Sequence, residues 1–207
     1  MFTRLDDILY PNKVIVIDFA DKKKFIYPIF KNGSSSINQR AEQNKYKSLV
    51  NGQITQLTDI DVFLRDPYER YRSGVQTWIH NNKESMPIEV MQELVKQGHI
   101  LDRHYLPQVN WIMHLMRYMS PTARLHTHRI QMLVHYATNT QKPEKEDVDV
   151  EIHPYVDMAL RLDKILLEDM TGSIWTRDEL LRELMERDPI AYSTVFGKYK
   201  GFENVLP

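Results

Sequence analysis

Strand-forming segments appear along the chain as short runs rich in β-branched and aromatic residues. Residues 14–19 and 24–30 are two such runs, separated by a polar turn at 20–23. Residues 60–64 form a compact apolar run typical of a buried strand, and residues 123–130 alternate between apolar and polar side chains. The pattern therefore predicts strands spread through the first two thirds of the chain.

Helical patterns account for much of the remaining sequence. They cover residues 37–49, 87–98, 107–119, 154–170 and 176–188. The 107–119 segment is apolar on both sides, which indicates a buried helix, and residues 131–138 are ambiguous between strand and helix. Because strands alternate with helices, we predict an α/β fold with a small parallel sheet flanked by helices and a helix-rich second half.

Composition narrows the class of protein. The 207 residues suit a single domain over 1–207, and 27 basic against 28 acidic residues give a net charge of -1, which favours neither nucleic acid nor a membrane surface as partner. The absence of cysteine excludes disulfides, thiol nucleophiles and cysteine-ligated metals. No apolar run approaches the ~18 residues of a membrane span, so we expect a cytoplasmic protein.

A small-residue loop after the second predicted strand is the first candidate site. It consists of Lys31, Asn32, Gly33, Ser34, Ser35 and Ser36, and a polar helical segment follows. A strand, a small-residue loop and a helix together direct backbone N–H groups at an anion, and the lysine and the serine hydroxyls add further donors. The lysine precedes the glycine, so the loop is not a Walker motif. A ligand-free turn is the alternative.

Two further candidates follow in order. Asp66 and Pro67 suit the start of a helix, so Arg65 stands at the end of a strand, where open α/β sheets bind ligands. Ser73 lies about two turns into that helix. His104 precedes Pro107, which suits the start of the next helix, and a loop histidine that titrates near neutral pH can serve as a base.

Histidines offer a weaker indication of a metal site. Alternation would place His126 and His128 on one face of a strand, with His135 nearby. Because the sequence has no third ligand at a recognisable spacing and no His-Glu-x-x-His motif, we predict no metal.

Taken together, the three candidate sites resemble the sulfotransferase superfamily over roughly residues 25–110. The segment 25–37 is similar to the family's 5′-phosphosulfate loop, and 62–74 to its 3′-phosphate motif, with the family's spacing between arginine and serine. The motif His104-x-x-Pro107-Gln108 resembles that of the carbohydrate-type members. Those members are mostly membrane-anchored and contain cysteines, so this chain resembles a compact, soluble bacterial or viral form.

The resemblance implies a fold related to nucleotide kinases and the donor 3′-phosphoadenosine-5′-phosphosulfate (PAPS), which leaves as 3′,5′-adenosine bisphosphate (PAP). It implies that Lys31 stabilises the leaving phosphate oxygen and that the amides and hydroxyls of residues 32–36 hold the 5′-phosphate. Arg65 and Ser73 would bind the 3′-phosphate, and His104 would take the proton from a hydroxyl acceptor, which the carbohydrate-type resemblance makes a candidate carbohydrate.

Several alternatives stay open at this stage. A divergent phosphotransferase and a non-catalytic nucleotide-binding module are the competing functions. His99 and Asp102 compete with His104 as the base, and a basic tail containing Lys198 and Lys200 could close over the 3′-phosphate. The aromatic candidates for stacking on an acceptor are Trp78, Tyr105 and Trp111. The oligomeric state is not predicted.

Overall fold

The computed structural model describes residues 13–19, 22–43, 48–98, 102–135 and 151–196. The strands are β1 (Lys13–Phe19), β2 (Lys22–Tyr27), β3 (Ser48–Val50), β4 (Asp59–Leu64), β5 (Arg124–Arg129) and β6 (Ile174–Thr176). The helices are α1 (Ser34–Gln43), α2 (Asn51–Ile54), α3 (Pro67–Asn82), α4 (Ile88–Lys96), α5 (Gln108–Met116), α6 (Pro154–Glu168), α7 (Arg177–Arg187) and α8 (Pro189–Phe196), and a 3-10 helix covers Ile130–His135.

The strands of the described residues form one mixed sheet in the order β3-β1-β2-β4-β5-β6. β2, β4 and β5 run parallel, whereas β1 is antiparallel to β2 and β3, and β6 is antiparallel to β5. The predicted α/β class with helices flanking a sheet is confirmed, but the prediction of a parallel sheet is wrong for the outer strands. β1 ends at Phe19 and β2 begins at Lys22, and so short a connection can join only antiparallel strands.

Helices cover both faces of this sheet. On one face, Val62 and Leu125 belong to a large core built with α5, α6, α7 and α8. On the other face, Ile26 and Phe63 pack with Ile37 of α1. A third cluster joins α3, α4 and α6. No helix within the described ranges has both the length and the apolar character needed to cross a bilayer.

Local signals explain why several helices begin where they do. The Asp66 carboxylate accepts a bond of 2.8 Å from the amide of Glu69, and Pro67 opens α3, as its sequence predicted. Thr176 and Glu179 form a capping box at the start of α7, where the sequence Thr-x-x-Glu predicts one. The predicted burial of α5 is also confirmed, since all its residues are buried.

Other boundaries differ from the prediction. α1 begins at Ser34 rather than at residue 37, because serine suits a helix N-terminus. β3 occupies Ser48–Val50, where a helix was predicted, and the ambiguous segment after β5 forms the 3-10 helix. Residues 22 and 23, which were predicted to belong to a turn, instead begin β2. Residues 20 and 21 lie outside the described residues. So do residues 138–149, whose polar composition predicts a surface loop, and the basic tail.

Cross-strand polar pairs lie on the face of the sheet that also carries Phe63. Asp59 of β4 lies 2.8 Å from His126 Nε2 and 2.9 Å from the Arg124 guanidinium, both on β5. Burial raises the pKa of Asp59, but the hydrogen bonds from His126 and Arg124 outweigh it and lower the pKa to about 2. The ionised form of Asp59 is therefore the one that stabilises the fold.

We expect Asp59→Asn to lower the free energy of unfolding at neutral pH by about 1 kcal/mol or less, because this pair is partly exposed to solvent. Because the pKa of Asp59 is lower in the folded protein, its carboxylate stabilises the fold at pH values above the unfolded pKa of 3.8. That stabilisation is lost as the pH falls toward 2. Urea denaturation should therefore show a difference from wild type that shrinks between about pH 4 and pH 2. Glu84→Gln, at an exposed carboxylate, is the control. A difference independent of pH would contradict the assignment.

Candidate functional site

Three chain segments meet beyond the carboxyl ends of the parallel strands. They are the loop from β2 to α1, the junction of β4 with α3, and the loop that precedes α5. Arg70 of α3 joins all three, since its Nε donates to the Phe30 carbonyl at 3.0 Å and its Nη1 to the Leu106 carbonyl at 2.6 Å. The carboxyl edge of parallel strands is where open α/β sheets bind ligands. The structure thus brings the segments of all the predicted site residues to one edge.

Lys31 has an unusual backbone conformation in the first segment. It is the only non-glycine residue of the described chain with positive φ, at 67°. The left-handed region costs a residue with a Cβ roughly 1–2 kcal/mol. The side chain is held as well, because Nζ donates to Thr77 Oγ1 at 2.7 Å, and that hydroxyl donates to the Ser73 carbonyl at 2.9 Å. Residues kept in strained conformations cluster at functional sites, which marks Lys31 as a candidate.

The N-terminus of α1 directly follows Lys31. Gly33, at φ 75°, turns the chain into the helix, and the first helical bond runs from the Ile37 amide to the Gly33 carbonyl at 3.0 Å. The amides at positions 34–36 precede that bond, at the end of the helix where the backbone N–H groups are directed outward. They carry the partial positive charge of the helix end, which favours an anion there.

Asn32 has a different role from the one the resemblance implied. Its amide donates to the Ile29 carbonyl at 3.1 Å, and its side chain is buried. The side-chain Nδ2 donates to the Phe63 carbonyl at 2.7 Å and to Gln108 Oε1 at 2.5 Å. In this structure Asn32 therefore fixes the loop against β4 and α5, and its amide is already paired.

Gln108 connects the first two segments through its buried side chain. Its Oε1 accepts from Asn32 and from the Arg65 amide at 3.0 Å, and its Nε2 donates to the Arg65 carbonyl at 2.9 Å. One amide group thus fixes the end of β4 together with residues 28–36, which run from β2 into α1 and are called the lysine loop below.

A carboxylate from α6 holds Gln108 in place. Asp163 accepts from the amides of Gln108 at 2.7 Å and Val109 at 2.6 Å, and so caps α5, which has no side-chain cap of its own. Burial raises the pKa of Asp163 to about 7, against the opposing charge of Arg70, and burial lowers the pKa of Arg70 to about 10. Arg70 and Asp163 belong to the buried frame of the site.

Two buried polar atoms of this frame lack partners among the described residues: Arg70 Nη2 and Asn32 Oδ1. Arg65, in contrast, is partly exposed at the end of β4, and its guanidinium lies 3.6 Å from the Glu69 carboxylate. Ser73 is half-buried, one helical turn before Thr77. Unlike the buried Arg70, Arg65 is therefore an arginine that an incoming anion can reach, in competition with Glu69.

His104 lies in the third segment. Its ring packs against Phe30, with ring centroids 5.6 Å apart, and its backbone carbonyl lies directly against Gly74 of α3. Asp102 Oδ1 accepts from the His104 amide at 2.8 Å and lies 2.5 Å from ring Nδ1. Asp102 is thus the partner of His104 rather than a free competitor for the role of base, and His99 lies outside the described residues.

The remaining sequence candidates are placed elsewhere. Trp78, Tyr105 and Trp111 are all buried, so they belong to the core and do not form a stacking surface. His128 Nε2 lies 2.6 Å from Asp61, as His126 lies beside Asp59. Within the described ranges no group of three or more histidines and carboxylates could hold a metal. The side chain of His135 and the tail with Lys198 and Lys200 lie outside those ranges.

Sequence reasoning missed Thr77 and Asp163, and the structural roles of Arg70 and Gln108. Thr77 could have been found from its helical spacing of four residues from Ser73. The pairing of Gln108 with Asn32 and the cap from Asp163 join positions 76 and 55 residues apart, and no local pattern indicates them.

Comparisons with known proteins found no matching family model, no similar curated protein and no similar solved structure.

Proposed function

We propose that the protein is a sulfotransferase that moves a sulfuryl group from PAPS to a hydroxyl acceptor, on a fold related to that of nucleotide kinases. The observation that carries the proposal is Lys31, a strained lysine fixed between a parallel strand and the first amides of α1. A cation and oriented amides at one point are what a reaction needs when negative charge develops on a leaving phosphate.

The residues of the lysine loop fit the donor's 5′-phosphate. Positions 34–36 lie at the N-terminus of α1, whose partial positive charge favours an anion, and the exposed Ser35 adds a hydroxyl. Lys31 places an ammonium group at the same loop, and its Nζ donates a hydrogen bond to Thr77. PAPS supplies an activated sulfuryl group, and the protein supplies a cation and amides where its phosphate leaves.

A second anion-binding group explains why the donor would be a bisphosphate. Arg65 is partly exposed, and its backbone is bonded to Gln108, which also holds the lysine loop. A site for a simple 5′-phosphate does not require a second anion-binding group, such as Arg65, that is coupled to the lysine loop. Ser73 adds a hydroxyl on α3, and His104 provides a base for the acceptor.

We expect PAP to stabilise the protein in a thermal-shift assay. At about 100 times its Kd, it should raise the melting temperature by about 5–10 °C. Adenosine 5′-monophosphate, which lacks the 3′-phosphate, should have a much smaller effect. In Arg65→Ala this preference for the bisphosphate should be lost, because the second phosphate has no partner. Arg124→Ala, at an arginine outside the site, should keep it.

Other results would favour the competing functions. Stabilisation by ATP with Mg²⁺ but not by PAP would indicate a phosphotransferase and overturn the proposal. Stabilisation by PAP without transfer from PAPS to any hydroxyl acceptor would indicate a nucleotide-binding module that is not an enzyme.

A further inference from the structure

We propose that Asp102 is the positioning residue of His104, which fixes the imidazole as the tautomer with hydrogen on Nδ1 and leaves Nε2 as the atom that takes the acceptor's proton. The catalytic part of this inference rests on the proposed function. The tautomer itself follows from the geometry of the pair.

One oxygen of Asp102 makes two bonds to the same residue. Oδ1 accepts from the His104 amide at 2.8 Å and lies 2.5 Å from Nδ1. An ionised carboxylate can only accept hydrogen bonds, so the hydrogen between these atoms belongs to Nδ1. A neutral imidazole has a single N–H, and Nε2 therefore presents a lone pair.

The carboxylate of Asp102 is ionised in the neutral range. Burial raises the pKa of Asp102, but the hydrogen bonds from the side chain and amide of His104 outweigh it, and the net pKa is lowered. The charge of Arg103 acts in the same direction. Asp102 therefore accepts a hydrogen bond from Nδ1–H at the neutral pH at which a histidine can act as a base.

The surroundings hold the ring in one orientation. Phe30 of the lysine loop packs against the His104 ring, and the backbone carbonyl of His104 lies in close contact with Gly74 of α3. Asp102 and Arg103 precede His104 in its own loop, and Arg70 of α3 is bonded to the nearby carbonyls of Phe30 and Leu106. Arg103 lies over the Phe30 ring at 5.0 Å. Asp102 is the carboxylate that contacts the His104 ring.

The proton has a defined path in the proposed reaction. As the acceptor oxygen attacks sulfur, its proton passes to Nε2 of His104. The bond between sulfur and the bridging oxygen breaks, and its electron pair stays on the phosphate oxygen beside Lys31. The resulting imidazolium keeps its Nδ1 hydrogen bond to Asp102, which stabilises its charge.

The tautomer can be measured without any assumption about activity. In protein labelled with nitrogen-15 histidine, two-bond proton–nitrogen correlation spectra at about pH 8 report which ring nitrogen is protonated. His104→Gln identifies the signal by its loss. We expect the Nδ1-protonated form in wild type and a shift toward the Nε2-protonated form in Asp102→Asn. An Nε2-protonated His104 in wild type, or an unchanged signal in Asp102→Asn, would overturn the inference.

Kinetics test the catalytic part. Asp102→Asn should lower kcat about 100-fold, within the range of general-base effects, and leave the KM for PAPS within about twofold. Asp59→Asn, which breaks the Asp59–His126 pair on the sheet, should change neither.

The two proposals can fail separately. A loss of activity in Asp102→Asn with the same nitrogen of His104 protonated as in wild type would mean that Asp102 is structural only. Absence of transfer by wild type with every acceptor would overturn the proposed function and with it the proton step, while the tautomer measurement would still decide how Asp102 orients His104.

Discussion

Lys31→Ala is expected to lower the rate of sulfuryl transfer at least ~100-fold, because it removes the cation beside the leaving phosphate oxygen. The fold should survive, since the hydrogen bond from Nζ to Thr77 that the change deletes is worth about 1 kcal/mol. The measurement is release of PAP from PAPS with a panel of hydroxyl acceptors, alongside the free energy of unfolding.

Lys31→Gly separates the role of the ammonium from that of the backbone. Glycine adopts a φ of 67° without the steric cost that a Cβ imposes, so this variant should be more stable than Lys31→Ala by about 1 kcal/mol. It should be equally inactive. Lys24→Ala, which removes a lysine paired with Asp61 at 3.6 Å on the sheet, should retain transfer. Full turnover by Lys31→Ala would remove Lys31 from the leaving-group role.

Gly74→Ala should destabilise the protein by about 3 kcal/mol or more. In the middle of a helix this substitution ordinarily stabilises by 0.5–1 kcal/mol. Here a Cβ would stand 2.6 Å from the His104 carbonyl carbon and 2.7 Å from the Cα of Tyr105, and closer still to the His104 carbonyl oxygen. These are backbone atoms, so α3 or the loop that carries His104 must move.

Gly52→Ala provides the matched control for this prediction. Gly52 also lies in a helix, but a Cβ there meets no atom within 4 Å, so the substitution should be neutral or slightly stabilising. Chemical denaturation of both variants gives the comparison. A Gly74→Ala protein as stable as wild type would mean that the contact between α3 and His104 can relax, and His104 would then be less firmly placed than described.

The elements could be predicted from the sequence, but the sheet could be predicted only in part. Alternation and apolar runs located β1, β4 and β5, and capping signals located α3 and α7. The parallel core follows from strands alternating with helices. The outer strands β3 and β6 could not be predicted, because each has only three residues, too few to show an alternation of apolar and polar side chains.

The segments of the candidate site were predictable, but their fixation was not. Lys31, Arg65 and His104 each follow a recognisable strand or precede a recognisable helix. The positive φ of Lys31 has no sequence signature, because lysine is not a residue that favours it. The pairing of Asn32 with Gln108 depends on tertiary contacts that local propensity does not encode.

The bonds of Gln108 bear on protein engineering. Since one side chain serves Asn32 and Arg65 and is itself fixed by Asp163, the lysine loop cannot be transplanted alone onto another scaffold. A graft that carried residues 29–36 without Gln108 would remove one of the two acceptors of the buried Asn32 side-chain amide. The smallest portable unit is discontinuous: the lysine loop, the start of α3, the loop before α5 and one aspartate from α6.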